Sequence, residues 1–152
     1  MKNKQKNYVD YDAETMIASA IIYTPKGKVF VGTAQCHPDD ADFANALTGE
    51  EIAFRRASIK MLEDVRDNEL KPAIEALNSY LYSINKGQYF DKKNPMVKIL
   101  YHNINIRQEE LSMINDMIKE EKKQLKDYLA AKEQLYEKLR AHKAKRSADK
   151  KE

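Results

Sequence analysis

The first clear pattern of apolar residues along the chain is an alternation that predicts a short β-hairpin. Residues 17–23 carry apolar side chains at both alternating sets of positions, which is typical of a strand covered at least partly on both faces. Pro25 and Gly27 then favour a turn, and residues 29–34 have the composition of a returning strand. The alternation therefore predicts a hairpin over 16–36, preceded by a flexible arm over 1–14.

A helical period follows the hairpin and predicts a first long helix over 49–85. Thr48 and Glu51 have the spacing of a capping box, which favours a helix start at this point. Pro72 predicts a kink or division near Asn68, because proline removes a helical hydrogen bond and clashes with the preceding turn. The apolar side chains of this helix recur every three or four residues, at Leu70, Ile74, Leu77, Leu81 and Ile84.

A second helix is predicted over 95–141 by a heptad pattern. Asn94 followed by Pro95 is typical of a helix N-terminus. The a and d positions form a coiled-coil-like seam, interrupted only by Arg107, Glu121 and Lys132. These seam positions are Val97, Leu100, Ile104, Arg107, Leu111, Ile114, Ile118, Glu121, Leu125, Tyr128, Lys132, Leu135 and Leu139.

Together these elements predict an α+β fold. A small N-terminal antiparallel β-hairpin or sheet is followed by two long antiparallel α-helices, since a short connection joins them. We expect one domain over 15–141 and a basic, disordered tail over 142–152. Two helices and a hairpin bury little surface, so we also expect a homo-oligomer, as a dimer or a larger assembly.

Composition and charge narrow the function classes. Charged residues make up 34% of the chain and hydrophobic residues 42%, and no apolar run is long enough for a membrane span. One cysteine, Cys36, fits a reducing cytoplasm. The net charge is +3, and the basic excess lies in the C-terminal tail. Nucleic-acid binding through that tail is the weaker alternative, because no docking motif accompanies it.

The sequence offers little catalytic chemistry. Cys36 and His37 are adjacent, so their side chains would point apart in an extended segment and could not share a metal ion. The aspartates of residues 39–42 lack the spacing of a calcium loop. No nucleophile motif occurs, and four glycines are too few for a phosphate-binding loop. We therefore predict a protein that is not an enzyme and uses no metal or other cofactor.

Candidate ligand-binding residues are Arg55, Arg56, Phe90, Asn94 and Arg107. Arg55 and Arg56 lie near the predicted start of helix one, where arginines suit a phosphate or are simply solvated. Arg107 interrupts the seam, which suggests either an ion pair with Glu75 or another acid of helix one, or a ligand contact. Phe90 could stack on a base while Asn94 reads a polar edge. Alternatively, Phe90 plugs the helical hairpin and Asn94 caps helix two.

Three short runs followed by two long helices resemble small phage-borne proteins of the Thoeris anti-defence "sponge" family. The runs are Ala18-Ser19-Ala20-Ile21-Ile22-Tyr23-Thr24-Pro25, Val29-Phe30-Val31-Gly32 and Cys36-His37-Pro38-Asp39-Asp40. The resemblance implies an N-terminal sheet, two long helices and an oligomer. It also implies that the protein sequesters a cyclic ADP-ribose signal between protomers without turnover, so that a bacterial immune effector is not triggered.

By this resemblance Phe90 would stack on adenine, Asn94 would be its polar partner, and Arg55, Arg56 or Arg107 would hold phosphates. The charged C-terminal extension is longer than the resemblance implies, which leaves the form of the oligomer open. The alternative function is a helical-hairpin module that binds or inhibits a host protein through its coiled-coil surface.

Overall fold

The computed structural model describes residues 4–86 and 94–148, and it begins with a three-stranded antiparallel sheet. Strands β1 (Lys6–Asp12), β2 (Ile17–Tyr23) and β3 (Val29–Gln35) lie in the order β1-β2-β3. Strands β2 and β3 confirm the predicted hairpin.

The flexible arm predicted over 1–14 is wrong for residues 6–12, which form β1. This strand pairs with β2 along its whole length, from Lys6 opposite Tyr23 to Asp12 opposite Ile17. It lies at the sheet edge, and only Tyr11 is even half-buried. Because its side chains are almost all exposed, its sequence carries no apolar alternation, although its backbone has a partner.

Helices form the rest of the described chain. A short 3₁₀ helix covers Pro38–Phe43, and α1 (Ala46–Val65), a π-helical turn (Arg66–Leu70) and α2 (Lys71–Lys86) follow without a break. Helix α3 covers Pro95–Ala148. The α+β fold with two long helical segments is therefore confirmed. Among the described helices, none combines the length and apolar character needed to cross a membrane.

Helix α1 begins three residues before the predicted start. The side-chain oxygen of Asn45 accepts hydrogen bonds from the backbone N–H groups of Leu47, at 2.9 Å, and Thr48, at 3.4 Å. Asn45 is thus the N-cap, and Thr48 lies inside the helix rather than capping it.

The interruption predicted by Pro72 is present as the π-helical turn. The backbone N–H of Lys71 donates to the carbonyl oxygen of Arg66, five residues earlier, which is the π-helical pattern. The wider turn lies at Asn68, where Pro72 would otherwise meet the backbone of a regular α-helix. The helical run therefore changes form near Pro72 but does not end there.

Helix α3 starts as predicted and ends later than predicted. The side-chain oxygen of Asn94 accepts from the backbone N–H of Met96 at 2.9 Å, and Pro95 is the first helical residue. The disordered tail predicted from 142 is wrong for residues 142–148, which are helical. Their alanines, lysines and arginine favour a helix, and Lys143 forms an ion pair with Asp42.

The chain forms two compact units, and α1 and α3 each contribute to both. The sheet unit comprises residues 4–60 and 120–148, and the helical unit comprises 61–86 and 94–119, among the described residues. The single domain predicted over 15–141 stays a prediction, since compactness alone does not establish independent folding.

Small residues line the contact between sheet and helix in the sheet unit. Ala18 and Ala20 of β2 and Ala53 and Ala57 of α1 are buried. A Cβ atom added to Gly32 would collide with the carbonyl oxygen of Ala53 and lie 2.6 Å from the backbone nitrogen of Ala57. Strand β3 and α1 therefore approach closely at a point where only glycine fits.

The core of the helical unit consists of large aliphatic residues instead. They are Leu62, Leu70, Val97, Leu100, Ile104 and Ile118. Along α3 as a whole, every predicted seam position except Arg107 and Leu135 is buried or half-buried, which confirms most of the seam. Near the end Tyr136 is buried in place of Leu135, since a helix of 3.6 residues per turn drifts from a strict heptad.

Candidate functional site

Arg55 lies in a hydrogen-bonded network of the sheet unit, with 22% of its side chain exposed. Its Nε donates to Glu51 at 2.7 Å, and its Nη1 donates to Glu121 at 3.1 Å and to Gln124 at 2.7 Å. These contacts explain the acidic residue at a seam position, because Glu121 is paired with an arginine of α1. Arg55 thus joins α1 to α3, and a ligand phosphate would have to compete with these partners.

Arg56 is next to Arg55 in the sequence, but its side chain reaches a different element. Its Nη1 donates to the carbonyl oxygen of Thr33 in β3 at 2.6 Å, and Lys60, one turn later, donates to the carbonyl oxygen of Val31 at 2.7 Å. Strand β3 is a sheet edge with outward-facing carbonyl groups. The two cations cover this edge, a common protection against pairing with another chain.

A buried aspartate links the 3₁₀ helix after β3 to the distal part of α3. Asp40 is only 5% exposed, and Arg140 donates to it twice, from Nε at 2.7 Å and from Nη2 at 2.8 Å. Hydrogen bonding to Arg140 holds the pKa of Asp40 below its ordinary value. Arg140 also contacts Glu133. Asp40 is therefore held by an ion pair inside the sheet unit and is not solvated.

Tyr136 closes the same region of the sheet unit. Its hydroxyl donates to the carbonyl oxygen of Phe43 at 3.1 Å, and the Lys132 ammonium lies 4.9 Å from its ring centre. Burial raises the pKa of the Tyr136 hydroxyl. An adjacent cavity, lined in part by Cys36 and Thr48, has a volume of about 20 Å³. That volume suits a water molecule, and a nucleotide would not fit.

The outer surface of the sheet carries a larger open groove, which the sequence did not predict. Its volume is about 470 Å³, within the range of small-molecule sites. The rings of Tyr8 and Tyr23 meet edge to face with their centres 5.7 Å apart, and they are 55% and 40% exposed. The groove is lined by Lys4, Lys6, Tyr8, Ile21, Tyr23, Thr24 and Gly27.

The charge of the sheet is uneven along β1, and the groove lies at the basic end. Lys6 pairs in register with Tyr23, whereas Asp10 and Asp12 lie toward the other end of the strand. The groove therefore combines exposed aromatic rings with ammonium groups. This combination suits a planar base joined to phosphate, since rings stack on bases and lysines attract phosphate charge. Lys6 and Tyr8 lie at alternate positions and therefore on the same face of β1, which was a detectable signal. It lay within the segment that the sequence predicted to be a flexible arm.

In the helical unit, Arg107 and Asn94 have separate roles. Arg107 is exposed, and its Nη1 donates to Glu110 on the same helix at 2.6 Å. The predicted partner Glu75 is therefore wrong. Asn94 caps α3, as the second interpretation of this residue predicted. Thirteen residues of helix separate them, which is roughly 20 Å at 1.5 Å per residue, so one small nucleotide would not reach both within one copy.

The remaining predicted residue, Phe90, lies outside the described residues, so its ligand role stays a prediction, as do those of the four residues above. Within 4–86 and 94–148, the structure contains no group of three or more histidine, cysteine, aspartate or glutamate residues that could hold a metal ion. Comparison with known proteins returns no matching family model, no matching curated protein and no matching solved structure.

Proposed function

We propose that this protein binds a small signalling nucleotide of the cyclic ADP-ribose type and sequesters it without turning it over. The observation that carries the proposal is the open groove at the basic end of the sheet. Its two exposed tyrosine rings offer a stacking surface, and Lys4 and Lys6 supply positive charge. Stacking on an aromatic ring contributes about 1–3 kcal/mol per base.

The order of elements also supports this proposal. An N-terminal antiparallel sheet followed by two long helices is the architecture implied by the resemblance to the Thoeris anti-defence sponge proteins. In that role the protein would be phage-encoded, would act in the host cytoplasm as a homo-oligomer, and would withhold the signal from a bacterial defence. We propose this role for the present chain on the same grounds.

The groove lining supports binding without catalysis. It contains lysine, tyrosine, threonine and apolar residues, and none of its described residues is a carboxylate, a histidine or a cysteine. General acid–base and nucleophilic catalysis most often use those groups. We therefore expect a bound nucleotide to be released intact.

The test is direct binding of cyclic ADP-ribose, with linear ADP-ribose as a comparison. Binding would be measured by calorimetry, and the bound compound would be identified by mass spectrometry after the protein is denatured. Tyr23→Ser should weaken binding about tenfold or more, since the loss of one stacking ring corresponds to that factor. Lys6→Gln removes a positive charge that attracts phosphate and should also weaken binding. Arg146→Gln, an exposed cation of α3 outside the groove, serves as the control and should bind as the wild type does.

The variants Phe90→Ala and Arg107→Ala test whether the nucleotide binds at residues predicted from the sequence and not in the groove. If only these two variants lose binding, the nucleotide site lies at those residues and the groove is not the site. If the wild-type protein retains neither compound, sequestration of this class of nucleotide is wrong. Recovery of a chemically altered compound would instead identify an enzyme.

A second candidate function is a module that binds or inhibits a host protein. It is favoured by Tyr80 and Tyr82 of α2, which are 54% and 61% exposed, because tyrosine is enriched at protein interfaces. This function predicts that the protein forms a defined complex with one host protein and that Tyr80→Ser disrupts this complex. A complex that survives both Tyr80→Ser and Tyr82→Ser would exclude this surface.

A further inference from the structure

Helix α3 carries a second apolar stripe within the helical unit, separate from its buried seam. Apolar side chains again recur at spacings of three and four, with two polar residues among them. In order, the stripe positions are Met96, Ile99, Asn103, Ile106, Glu110, Met113 and Met117.

The apolar members of this stripe are exposed. Their exposed fractions are 51% for Met96, 55% for Ile99, 37% for Ile106, 65% for Met113 and 49% for Met117. By contrast, the seam residues Val97 and Ile104 are 1% and 5% exposed. The stripe extends for roughly 32 Å along one helix at 1.5 Å per residue. An exposed and mainly apolar surface of this length is typical of an interaction site.

The order of residues in the stripe indicates which partner fits it. From either end the stripe has the same pattern, namely two apolar residues, one polar residue, the central Ile106, one polar residue and two apolar residues. A surface that complements itself under a two-fold rotation is what a symmetric dimer needs. An axis at Ile106 sets Met96 of one copy near Met117 of the other, and Ile99 near Met113.

The polar positions favour an antiparallel arrangement. In that arrangement Asn103 of one copy faces Glu110 of the other, and an amide N–H can donate to the carboxylate. Glu110 already accepts from Arg107 at 2.6 Å, and a carboxylate can accept several hydrogen bonds. Parallel packing would instead place the two Glu110 carboxylates against each other, which like-charge repulsion disfavours.

We propose that the partner is a second copy of this chain, which packs its stripe antiparallel on the first around a two-fold axis at Ile106. This inference concerns the homo-oligomer included in the proposed function. Because self-association is measured without nucleotide, its failure and the failure of nucleotide binding are distinguishable.

The first test is sedimentation equilibrium of the full chain with an Ile106→Glu substitution. Two carboxylates would meet at the axis and two large apolar side chains would be lost from the interface, so the dimer dissociation constant should rise at least about 100-fold. Ser112→Glu adds the same charge to an exposed position of α3 outside the stripe and is the matched control. A monomeric wild-type chain, or an Ile106→Glu chain that dimerises as tightly as the control, would overturn the proposal.

The second test fixes the orientation and does not depend on a disruptive substitution. In a Cys36→Ser background, Ile106→Cys should form a disulfide with itself upon oxidation, because it lies on the axis. Met96→Cys and Met117→Cys chains should crosslink with each other when mixed. Efficient crosslinking of Met96→Cys with itself would show parallel packing, and absence of the Ile106→Cys crosslink would place the axis elsewhere; either result contradicts the proposal.

Discussion

The two compact units bury their side chains in different ways. The sheet unit brings backbone close to backbone, with alanines and Gly32 between β3 and α1, and joins distant segments through arginine–carboxylate contacts. The helical unit instead packs large aliphatic residues, such as Leu100 and Ile104, at heptad spacing. Close approach tolerates no added volume, whereas a seam of large side chains suffers mainly when volume is removed.

Two arginines show the same contrast in their surroundings. Arg55 is largely buried and contacts residues on both α1 and α3, whereas Arg107 is exposed and contacts one residue of its own helix. The sequence suggested a ligand contact for both, with a solvated side chain as the alternative for Arg55 and an ion pair as the alternative for Arg107. Arg55 therefore links two helices, whereas Arg107 makes only a local contact, and this difference depends on the residues that surround each guanidinium group.

The largest effect should come from Gly32→Ala in the sheet unit. The new Cβ would meet two backbone groups of α1, which cannot rotate away as side chains do. We expect a loss above the roughly 1–3 kcal/mol of ordinary overpacking, and measurable loss of hydrogen-exchange protection in β2 and β3. Gly27→Ala is a control for glycine removal in open space, although its positive φ of 82° adds some strain. Equal stability of Gly32→Ala and wild type would refute the close approach.

The next effect should come from Ile104→Ala in the helical unit. Removing a buried aliphatic side chain leaves a cavity and should cost about 2–4 kcal/mol of the free energy of unfolding. Ile99→Ala removes the same atoms from a 55% exposed position and should stay within about 0.5 kcal/mol. Urea denaturation of both variants in an Ile106→Glu background would keep folding separate from self-association. Similar losses for both would contradict the assignment of seam and stripe.

Replacing the two arginines should sharpen the comparison further. Arg55→Gln leaves Glu51 and Glu121 without their charged partner and should cost about 1–2 kcal/mol. Arg107→Gln breaks an exposed pair and should change the free energy of unfolding by less than about 0.5 kcal/mol. Thermal and urea denaturation measure both, and a larger loss for Arg107→Gln would reverse the roles proposed above.

The smallest change in stability is expected at acidic pH, from the ion pair between Asp40 and Arg140. Since Arg140 lowers the pKa of folded Asp40, the folded protein binds this proton less readily than the unfolded chain. The resulting stabilisation is present above the ordinary aspartate pKa of about 4 and is lost as the pH falls through the lower folded pKa. Arg140→Gln should therefore flatten the fall in stability below about pH 4. If urea denaturation shows the same fall in the free energy of unfolding below about pH 4 for Arg140→Gln and wild type, this ion pair does not contribute to the acid sensitivity of folding.

Much of the helical architecture could be predicted from the sequence. The heptad pattern located α3 and most of its buried face, Asn94 and Pro95 marked its start, and Pro72 marked the change in helix form near Asn68. Each of these signals is local or periodic, because burial of one helix face repeats with the helical turn. The hairpin of β2 and β3 was predicted for the same reason, since its turn residues and apolar positions lie within one short segment.

The candidate site was harder to predict. The groove depends on β1, whose exposed residues carry no apolar period, so the sequence suggested an arm rather than a strand. Arg55 and Arg56 were identified as binding residues, but nothing local indicates that one reaches α3 and the other reaches β3. Asp40 and Arg140 lie 100 residues apart, and no spacing rule connects them.

The sequence by itself therefore determined the α+β class, the hairpin of β2 and β3 and the heptad seam of α3. Each is written in residues a few positions apart, which interact through one repeating geometry. Only the tertiary structure decided which glycine admits a neighbouring backbone, which carboxylate is buried against an arginine and where tyrosines and lysines share a groove. These features depend on distances between segments remote in the chain, and such distances are set only when the whole chain folds.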